Sequence, residues 1–360
     1  MNAAATTPLG VYVHVPFCTS RCDYCAFATW TDRHHVQGDY LDAVRTDIAS
    51  TFAVEQRRVA SVFVGGGTPS LVDPELLAAA LAEIPIEPGA EVTVECNPDD
   101  VDERLLRTIA DGGVTRISLG VQSMVPRVLR LLGRHHDPDN VVAAVTAIRR
   151  VGFASFSFDL IYGAAGETLD EWAETLEAAL ALDPPHISAY GLTVEAGTPL
   201  AADPARYPDD DVQADEYELA DERLSAAGLS SYEVSNWARP GHECRHNLLY
   251  WRQHDYLAFG CAAHSHVAGR RWWNVRTPER YIAAVSSGTS PEAGAEQLDA
   301  AARRTEGLQL ALRTKAGVPL DAFDRNALDD LTGLVERSGE RLVLTRRGRL
   351  MANEVAVRLR

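Results

Sequence analysis

Three cysteines near the start of the chain are the residues best suited to chemistry. Cys18, Cys22 and Cys25 lie in the run VHVPFCTSRCDYCAF, and the next cysteine along the chain is Cys96. A 4Fe-4S cluster is ordinarily bound by four thiolates, and a structural zinc ion by four cysteine or histidine side chains. Three thiolates on one short loop therefore predict a metal centre with one open coordination position.

Other uses of these cysteines remain open at this point. Zinc bound by the three cysteines and His14 is one alternative, because C-x2-C turns often bind zinc. A disulfide framework is disfavoured, because a chain of 360 residues with 6 cysteines is long enough to be stabilised by a hydrophobic core. The first residues, MNAAATTPLG, lack the charged start and apolar run of a signal peptide, so a cytoplasmic protein is expected.

The composition limits the partners. Lys and Arg number 34 against 51 Asp and Glu, and the net charge of −17 argues against nucleic acid, whose backbone attracts clustered cations. The locally basic C-terminal run RLVLTRRGRLMANEVAVRLR is interpreted as the solvated face of a small domain. No uninterrupted apolar run approaches the length of a membrane span, so none is expected.

Short β-branched runs alternate with helical patterns through the first half of the chain. Asp73 and Asp137 each precede a proline, as at helix starts, and Thr168 with Glu171 forms a capping box. Strands and helices alternating about every 30 residues predict a parallel sheet with crossover helices, and hence an α/β fold built on a partial (β/α)6 TIM-like barrel. The expected strands are Val11–Val15, Ser61–Val64, Val92–Glu95, Arg116–Val121, Ser155–Ile161 and His186–Leu192.

Polar residues follow or end several of these strands. The cysteine loop follows the first strand, and the run from Gly65 to Thr68 follows the second. Glu95 and Gln122 end the next two, and Asp159 belongs to the fifth. Because ligands bind at the carboxyl ends of barrel strands, these residues are expected to converge. The glycines would let backbone groups approach a charged ligand closely.

Composition shifts divide the chain further. Residues 1–10 are expected to be a flexible N-terminus, residues 11–195 the barrel core and residues 196–285 an extension of the barrel. The small residues of 286–301 predict a linker. Residues 302–360 end in a hairpin-and-helix pattern and are expected to form a small C-terminal winged-helix-like α+β domain.

The C-x3-C-x2-C spacing resembles the signature loop of the radical S-adenosylmethionine (SAM) enzymes. With GGGTP, ECNP, SLGVQS and FDLIYG in order, the chain is similar to the family of oxygen-independent coproporphyrinogen III dehydrogenases and related heme chaperones. The resemblance implies a radical SAM barrel with a 4Fe-4S cluster on Cys18, Cys22 and Cys25. It also implies SAM bound to the open iron, with contacts from Tyr12, Tyr24, Gly67, Thr68, Glu95, Gln122, Arg134, Asp159, Gly191 and His264.

Two features favour the chaperone branch. Phe27 stands where the dehydrogenases usually have another cysteine, and their longer N-terminal extension is not expected here. The run from His246 to Trp251 matches the HNxxYW motif associated with heme binding in that branch. The resemblance thus implies heme contacts from His246 as iron ligand and from Tyr250 and Trp251. Alternatives are a structural role for His246 and iron ligation by Cys244, Cys261, His264 or His266.

The resemblance therefore predicts a heme chaperone that delivers heme to an acceptor protein, such as a membrane respiratory subunit. An oxygen-independent coproporphyrinogen III dehydrogenase, which makes protoporphyrinogen IX by radical decarboxylation, is the main alternative. A zinc-dependent barrel hydrolase is a third. It would need metal ligands on several strand ends, whereas this sequence offers one compact cysteine loop.

Overall fold

The computed structural model describes residues 7–359. The predicted flexible N-terminus falls partly outside this range, because residues 1–6 are not among the described residues. Leu9 and Gly10, by contrast, already belong to the first strand.

A sheet of 12 strands forms the body of the protein, and its first six strands are parallel neighbours in chain order. All six were predicted from the sequence. They are β1 (Leu9–Val15), β2 (Val59–Gly66), β3 (Ile86–Cys96), β4 (Arg116–Gln122), β5 (Ser155–Tyr162) and β6 (His186–Gly191).

The sheet continues beyond both ends of this parallel block. Next to β6 lie β8 (Asn236–Ala238) and β7 (Ser230–Glu233), both in antiparallel pairings. On the other side β9 (Asp255–Phe259) runs parallel to β1 and is followed by antiparallel β10 (His264–Val267), β11 (Arg270–Asn274) and β12 (Glu292–Gln297). The strand order, β12-β11-β10-β9-β1-β2-β3-β4-β5-β6-β8-β7, is that of an open barrel.

Helices connect the strands, and the predicted capping signals work as expected. Asp73 accepts hydrogen bonds from two backbone amides, and Thr168 and Glu171 form the reciprocal capping box. The helices are α1 (Gln37–Phe52), α2 (Pro74–Leu81), α3 (Glu103–Asp111), α4 (Pro126–Leu131), α5 (Pro138–Val151), α6 (Leu169–Ala181), α7 (Asp210–Ala226), α8 (Arg245–Trp251), α9 (Pro278–Ser286), α10 (Ala300–Leu312), α11 (Arg325–Asp330), α12 (Arg346–Leu350) and α13 (Ala352–Ala356).

Side-chain alternation along the strands separates the core from the site. In β5, Phe156 and Phe158 belong to the main hydrophobic core, whereas Ser157 and Asp159 line a cavity on the opposite face. In β1, Val13 faces the core and Tyr12 the cavity. Because successive strand residues point to opposite faces, one buried strand supplies both stability and a site wall.

The segment predicted as a linker, 286–301, contains β12, which pairs with β11. Its sequence EAGAEQ has no β-branched residue, so nothing local predicted a strand. The strand forms because its neighbour provides backbone partners and because Gly294 leaves room for Trp273. A Cβ at Gly294 would lie only 2.6 Å from the Trp273 ring.

The C-terminal residues form a small α+β unit with its own core. It contains α10 to α13 and a sheet of β13 (Val318–Pro319), β15 (Arg341–Leu344) and β14 (Val335–Ser338). The predicted fold class is confirmed, while the domain boundaries stay predictions. Much of the basic run is exposed, as predicted, although Arg346 and Arg349 also form ion pairs of 3.0 and 2.8 Å with Asp221 of α7. None of the helices between residues 7 and 359 is long and apolar enough to cross a bilayer.

Candidate functional site

A cavity of about 800 Å³ opens at the carboxyl ends of the parallel strands. We call it the cluster cavity, because Cys18, Cys22 and Cys25 all line it. The predicted SAM contacts also line it, with the sole exception of His264. The structure therefore brings together residues from the loops or ends of all six parallel strands.

Hydrogen-bond donors point at two of the three sulfur atoms. The Thr68 hydroxyl donates to Cys18 Sγ at 3.6 Å, and Arg134 Nη1 donates to Cys22 Sγ at 3.6 Å. The three cysteine side chains are half-buried and none forms a disulfide. Burial raises the pKa of the Cys18 thiol and of the Cys25 thiol. A bound metal and the nearby donors would both favour the thiolate forms.

The donor set fits a cluster better than a single zinc ion. Within residues 7–359, no three His, Cys, Asp or Glu side chains are grouped closely enough to hold one metal ion. His14, the alternative fourth ligand, donates from Nε2 to the Ala28 carbonyl at 2.9 Å and accepts at Nδ1 from Tyr12 at 3.2 Å. Thiolates that bind different irons of a cluster are spaced more widely than the ligands of one zinc.

The glycine run after β2 fixes the cysteine loop against the sheet. The amide of Gly67 donates to the Val15 carbonyl at 2.7 Å, and that of Thr68 donates to the Phe17 carbonyl at 2.8 Å. A Cβ at Gly67 would lie 2.6 Å from the Phe17 oxygen. Gly66 has a φ of +112°, in the region that favours glycine. These contacts require glycine and determine where the loop leaves β1.

Two half-buried carboxyl groups, those of Glu95 and Asp159, face the cavity. Burial, and then the nearby Asp159, raise the pKa of Glu95 to about 8, although the Gly66 amide donates to it at 3.1 Å. Burial also raises the pKa of Asp159, against the hydrogen bond of 2.8 Å from the Ser118 hydroxyl. A carboxyl group of this kind can accept hydrogen bonds from the amino or hydroxyl groups of a ligand.

Arg134 and Gln122 lie on the same rim. Arg134 Nη2 donates to Asn97 Oδ1 at 2.7 Å and to the Gly120 carbonyl at 2.8 Å, which orients the guanidinium beside the cysteine loop. Gln122 ends β4 with a φ of 61°, an uncommon backbone conformation for a residue with a side chain. Such conformations cluster at binding sites, where the surrounding structure holds them in place.

Sequence reasoning missed the polar floor of this cavity. Ser118 and Ser157 share a hydrogen bond of 2.8 Å, and Ser188 and Tyr190 line the same face. The signal was present, because Ser118, Ser157 and Ser188 each lie two residues after another polar residue at the start of β4, β5 and β6. Period-two alternation of this kind indicates a strand whose inner face is polar.

The HNxxYW segment is α8, and its histidine is fully buried. His246 Nδ1 hydrogen-bonds the Ser61 hydroxyl at 3.0 Å, and Nε2 hydrogen-bonds the Tyr250 hydroxyl at 2.8 Å. The ring also stacks on Phe63, with centroids 5.5 Å apart. Burial lowers the pKa of His246 to about 3. Trp251 lines neither of the two cavities and lies under the Arg313 guanidinium, 5.0 Å from its ring centroid.

A second cavity of about 900 Å³ adjoins the cluster cavity. We call it the histidine cavity, because His264 and His266 of β10 line it together with residues of β9 to β12. The structure thus places His264 here rather than with the other predicted SAM contacts. The two cavities share the side chains of Tyr12, Ala26, Phe27 and Tyr250.

The two cysteines that the sequence offered as alternative heme ligands are buried. Cys261 Sγ accepts a hydrogen bond from the Tyr40 hydroxyl at 3.7 Å and lines neither of the two cavities. Cys244 Sγ lies 3.6 Å from Glu91 at the floor of the cluster cavity.

Comparison with known proteins agrees with this geometry. Residues 12–179 match the model of the Radical SAM superfamily. The chain is 45% identical to the heme chaperone HemW of Mycobacterium tuberculosis, over 97% of this chain and 94% of that protein. It belongs to the HemW family. The HemW of Bacillus subtilis is 32% identical over 96% of this chain and 97% of that protein.

A solved structure confirms the fold of this chain. The coproporphyrinogen III oxidase HemN of Escherichia coli, a radical SAM enzyme, superimposes with a TM-score of 0.82 over 98% of this chain and 89% of that one. The two sequences are 24% identical, so this likeness establishes the fold alone. The family predicted from the cysteine loop and the ordered motifs is confirmed by the identities of 45% and 32% to the two HemW proteins.

Proposed function

We propose that this protein is a heme chaperone that binds heme, a 4Fe-4S cluster and SAM, and delivers the heme to an acceptor protein. The observation that carries the proposal is the identity of 45% to a heme chaperone over nearly the whole chain. The two adjoining cavities support it, because they offer separate space for a cluster with SAM and for a large flat ligand.

The cluster cavity has side chains suited to both resident groups. Cys18, Cys22 and Cys25 would bind three irons, and the open iron would bind the methionine moiety of SAM. Glu95 and Asp159 would accept hydrogen bonds from SAM, while Thr68 and Arg134 stabilise the thiolates. His264 is the one predicted SAM contact that does not line this cavity, so its role would lie in the histidine cavity. When bound, the cluster supplies an electron to the sulfonium group of SAM.

Anaerobic reconstitution followed by heme titration tests the proposal. The protein is expected to bind about four irons per chain and to show both iron-sulfur absorption and a Soret band when heme is added. Mixing the heme-loaded protein with an apo-acceptor of b-type heme should then move the Soret signal to the acceptor. Protein that reconstitutes its cluster but takes up no heme would contradict the proposal.

The dehydrogenase alternative has its own assay. Phe27 occupies the position of the additional cysteine, so no decarboxylation of coproporphyrinogen III is expected under anaerobic, reducing conditions. Turnover at an ordinary enzymatic rate of about 1 per second or more would replace the chaperone proposal with the enzyme. Slow cleavage of SAM without decarboxylation would be consistent with the chaperone, because it needs only the cluster.

A further inference from the structure

The histidine cavity presents imidazole and aromatic side chains on one face of an antiparallel sheet. His264 lies directly opposite Trp273 in the strand register, and His266 lies opposite both Tyr256 and Arg271. Directly paired residues share a sheet face, and all five side chains line the cavity. The sheet therefore gathers two potential iron ligands beside flat apolar rings.

Both imidazoles direct an unpaired nitrogen away from the backbone. His264 Nδ1 donates to the Ala262 carbonyl at 2.9 Å, and His266 Nδ1 donates to the His254 carbonyl at 3.4 Å. This leaves each Nε2 with a lone pair. His266 Nε2 is buried and has no hydrogen-bond partner among the described residues. A histidine that donates one nitrogen to a carbonyl and keeps the other free is the usual arrangement of a metal ligand.

Of the two histidines, His264 is the one that a ligand can reach. Its side chain is exposed, whereas that of His266 is buried. The His264 ring also stacks on Trp273, with centroids 5.8 Å apart, which restrains its orientation. An accessible Nε2 on an oriented ring is suited to bind the iron of an entering heme.

The rest of the wall suits a flat apolar macrocycle. Tyr250 and Tyr256 meet edge to face, with ring centroids 4.6 Å apart, on the side toward the cluster cavity. Phe27 is 66% exposed although it is large and apolar, and it lies at the rim that the two cavities share. The volume of about 900 Å³ falls near the upper end of small-molecule sites, which span roughly 300–1,000 Å³.

Cationic groups line the cavity although the whole chain is acidic. Arg276 and Arg280 are exposed there, and neither forms an ion pair with an acidic residue of the part of the chain that the structure describes. The one carboxylate of the wall, Glu306, is already paired with Arg271 at 2.7 Å. Guanidinium groups bind carboxylates in fork geometry, and heme carries propionate groups at one edge.

We propose that the histidine cavity is the heme site, with His264 as the axial iron ligand and with Arg276 and Arg280 as counter-ions of the propionates. The assignment rests on the proposed heme-chaperone function and specifies where on the chain the heme binds. The axial iron ligand is therefore assigned to His264 of β10 and not to His246 of the HNxxYW segment.

The HNxxYW segment keeps a role in this arrangement. His246 holds the hydroxyl of Tyr250 at 2.8 Å, and Tyr250 forms part of the wall between the cavities. Both nitrogens of His246 are engaged, so the residue positions the wall and does not bind the iron. Replacing it should weaken heme binding while leaving the ligand field of the iron unchanged.

Titration of the reconstituted protein with heme and with iron-free protoporphyrin IX tests the assignment. His264→Ala should shift the Soret band and weaken heme binding about tenfold or more, but should change protoporphyrin binding by less than about threefold. His35→Ala, which removes an exposed histidine outside both cavities, is the matched control and should alter neither titration. Because the His264 side chain is exposed, its removal should leave the fold intact.

Four further variants test the individual contacts. Arg276→Ala and Arg280→Ala should each weaken both porphyrins about threefold, in line with exposed ion pairs. Ala293→Trp, an exposed position lining the cavity, should block both ligands. His246→Gln should keep the wild-type Soret position.

The outcomes separate this assignment from the proposed function. If the wild type binds no heme, the chaperone proposal fails. If the wild type binds heme and His264→Ala has the same affinity and spectrum, only the site assignment is overturned. A Soret shift in His246→Gln without one in His264→Ala would overturn it in favour of the HNxxYW histidine.

Discussion

The two adjoining cavities share one wall but are built by different parts of the sheet. The cluster cavity lies at the carboxyl ends of parallel strands and is lined by thiols, carboxyl groups and backbone amides. The histidine cavity lies on the face of the antiparallel strands and is lined by imidazole and aromatic rings. Loops at strand ends place small polar groups around a compact ligand, whereas a sheet face offers a broad surface for a flat one.

The wall that the two cavities share connects them physically. Phe27 and Ala26 belong to the cysteine loop, and Tyr250 belongs to the HNxxYW helix, so both segments form part of the wall between the cavities. A displacement of Ala26 or Phe27 would alter the wall of the histidine cavity as well as that of the cluster cavity. Substitutions in one cavity, with ligand binding measured in both, show whether the two cavities act independently.

The largest effect is expected from the cysteine loop. Cys22→Ala removes one of the three proposed cluster ligands and should reduce the reconstituted iron from about four per chain to nearly none, because each thiolate is needed. Iron analysis after anaerobic reconstitution measures this. Heme affinity should change by less than about threefold if the cavities bind independently.

Cys261→Ala is the matched control for iron content, since Cys261 is buried and lines neither cavity. This control variant should keep its iron. Full iron in Cys22→Ala would show that the cluster is held elsewhere, and a matching loss of heme would show that the cavities are one site.

A smaller effect is expected from the glycine run. In Gly67→Ala the new methyl group would lie 2.6 Å from the Phe17 carbonyl oxygen, so the cysteine loop must shift. We expect destabilisation of about 1–3 kcal/mol and reduced iron uptake, since overpacking costs about this much. Denaturant unfolding and iron analysis measure the two effects.

Gly38→Ala provides the control, because nothing lies within 4 Å of a Cβ built at Gly38 of α1. It should leave iron uptake unchanged and should not destabilise the protein. Equal iron uptake in Gly67→Ala and Gly38→Ala would contradict the role given to the glycine run.

The smallest expected effect is on the pH dependence of stability. It distinguishes the buried imidazole of His246 from exposed imidazoles such as that of His35. The pKa of His246 is lowered to about 3 by burial, from an ordinary value of 6.5. Between these values the unfolded chain binds a proton that the folded protein does not, so stability is lost as the pH falls. From about pH 7 to about pH 5 the loss from this residue should be about 2 kcal/mol.

Denaturant unfolding of the wild type and of His246→Gln at both pH values isolates this contribution. The stability difference between pH 7 and pH 5 should be about 2 kcal/mol smaller in the variant. His35→Gln, at an exposed position, should retain the wild-type difference. The same pH dependence in His246→Gln would mean that His246 is accessible to protons in the folded protein.

The sequence by itself determined the parallel half of the protein and its cluster cavity. The run of β2 is buried in the hydrophobic core and is followed by the helix-capping Asp73, so the local pattern and the final fold agree there. The polar residues of that cavity end or follow their strands, and the topology of a parallel sheet brings the carboxyl ends of neighbouring strands to one side. Order along the chain was therefore sufficient to place Glu95 and Asp159 together.

Tertiary structure alone decided the other half. The run EAGAEQ became β12 only because β11 offered it backbone partners, and Arg346 pairs with Asp221 of α7, a helix far away in the chain. His264 was placed in the histidine cavity by the antiparallel pairing of β10, and both nitrogens of His246 were engaged by Ser61 and Tyr250. Antiparallel register and side-chain hydrogen bonds between distant segments depend on which elements meet, and no local pattern encodes that.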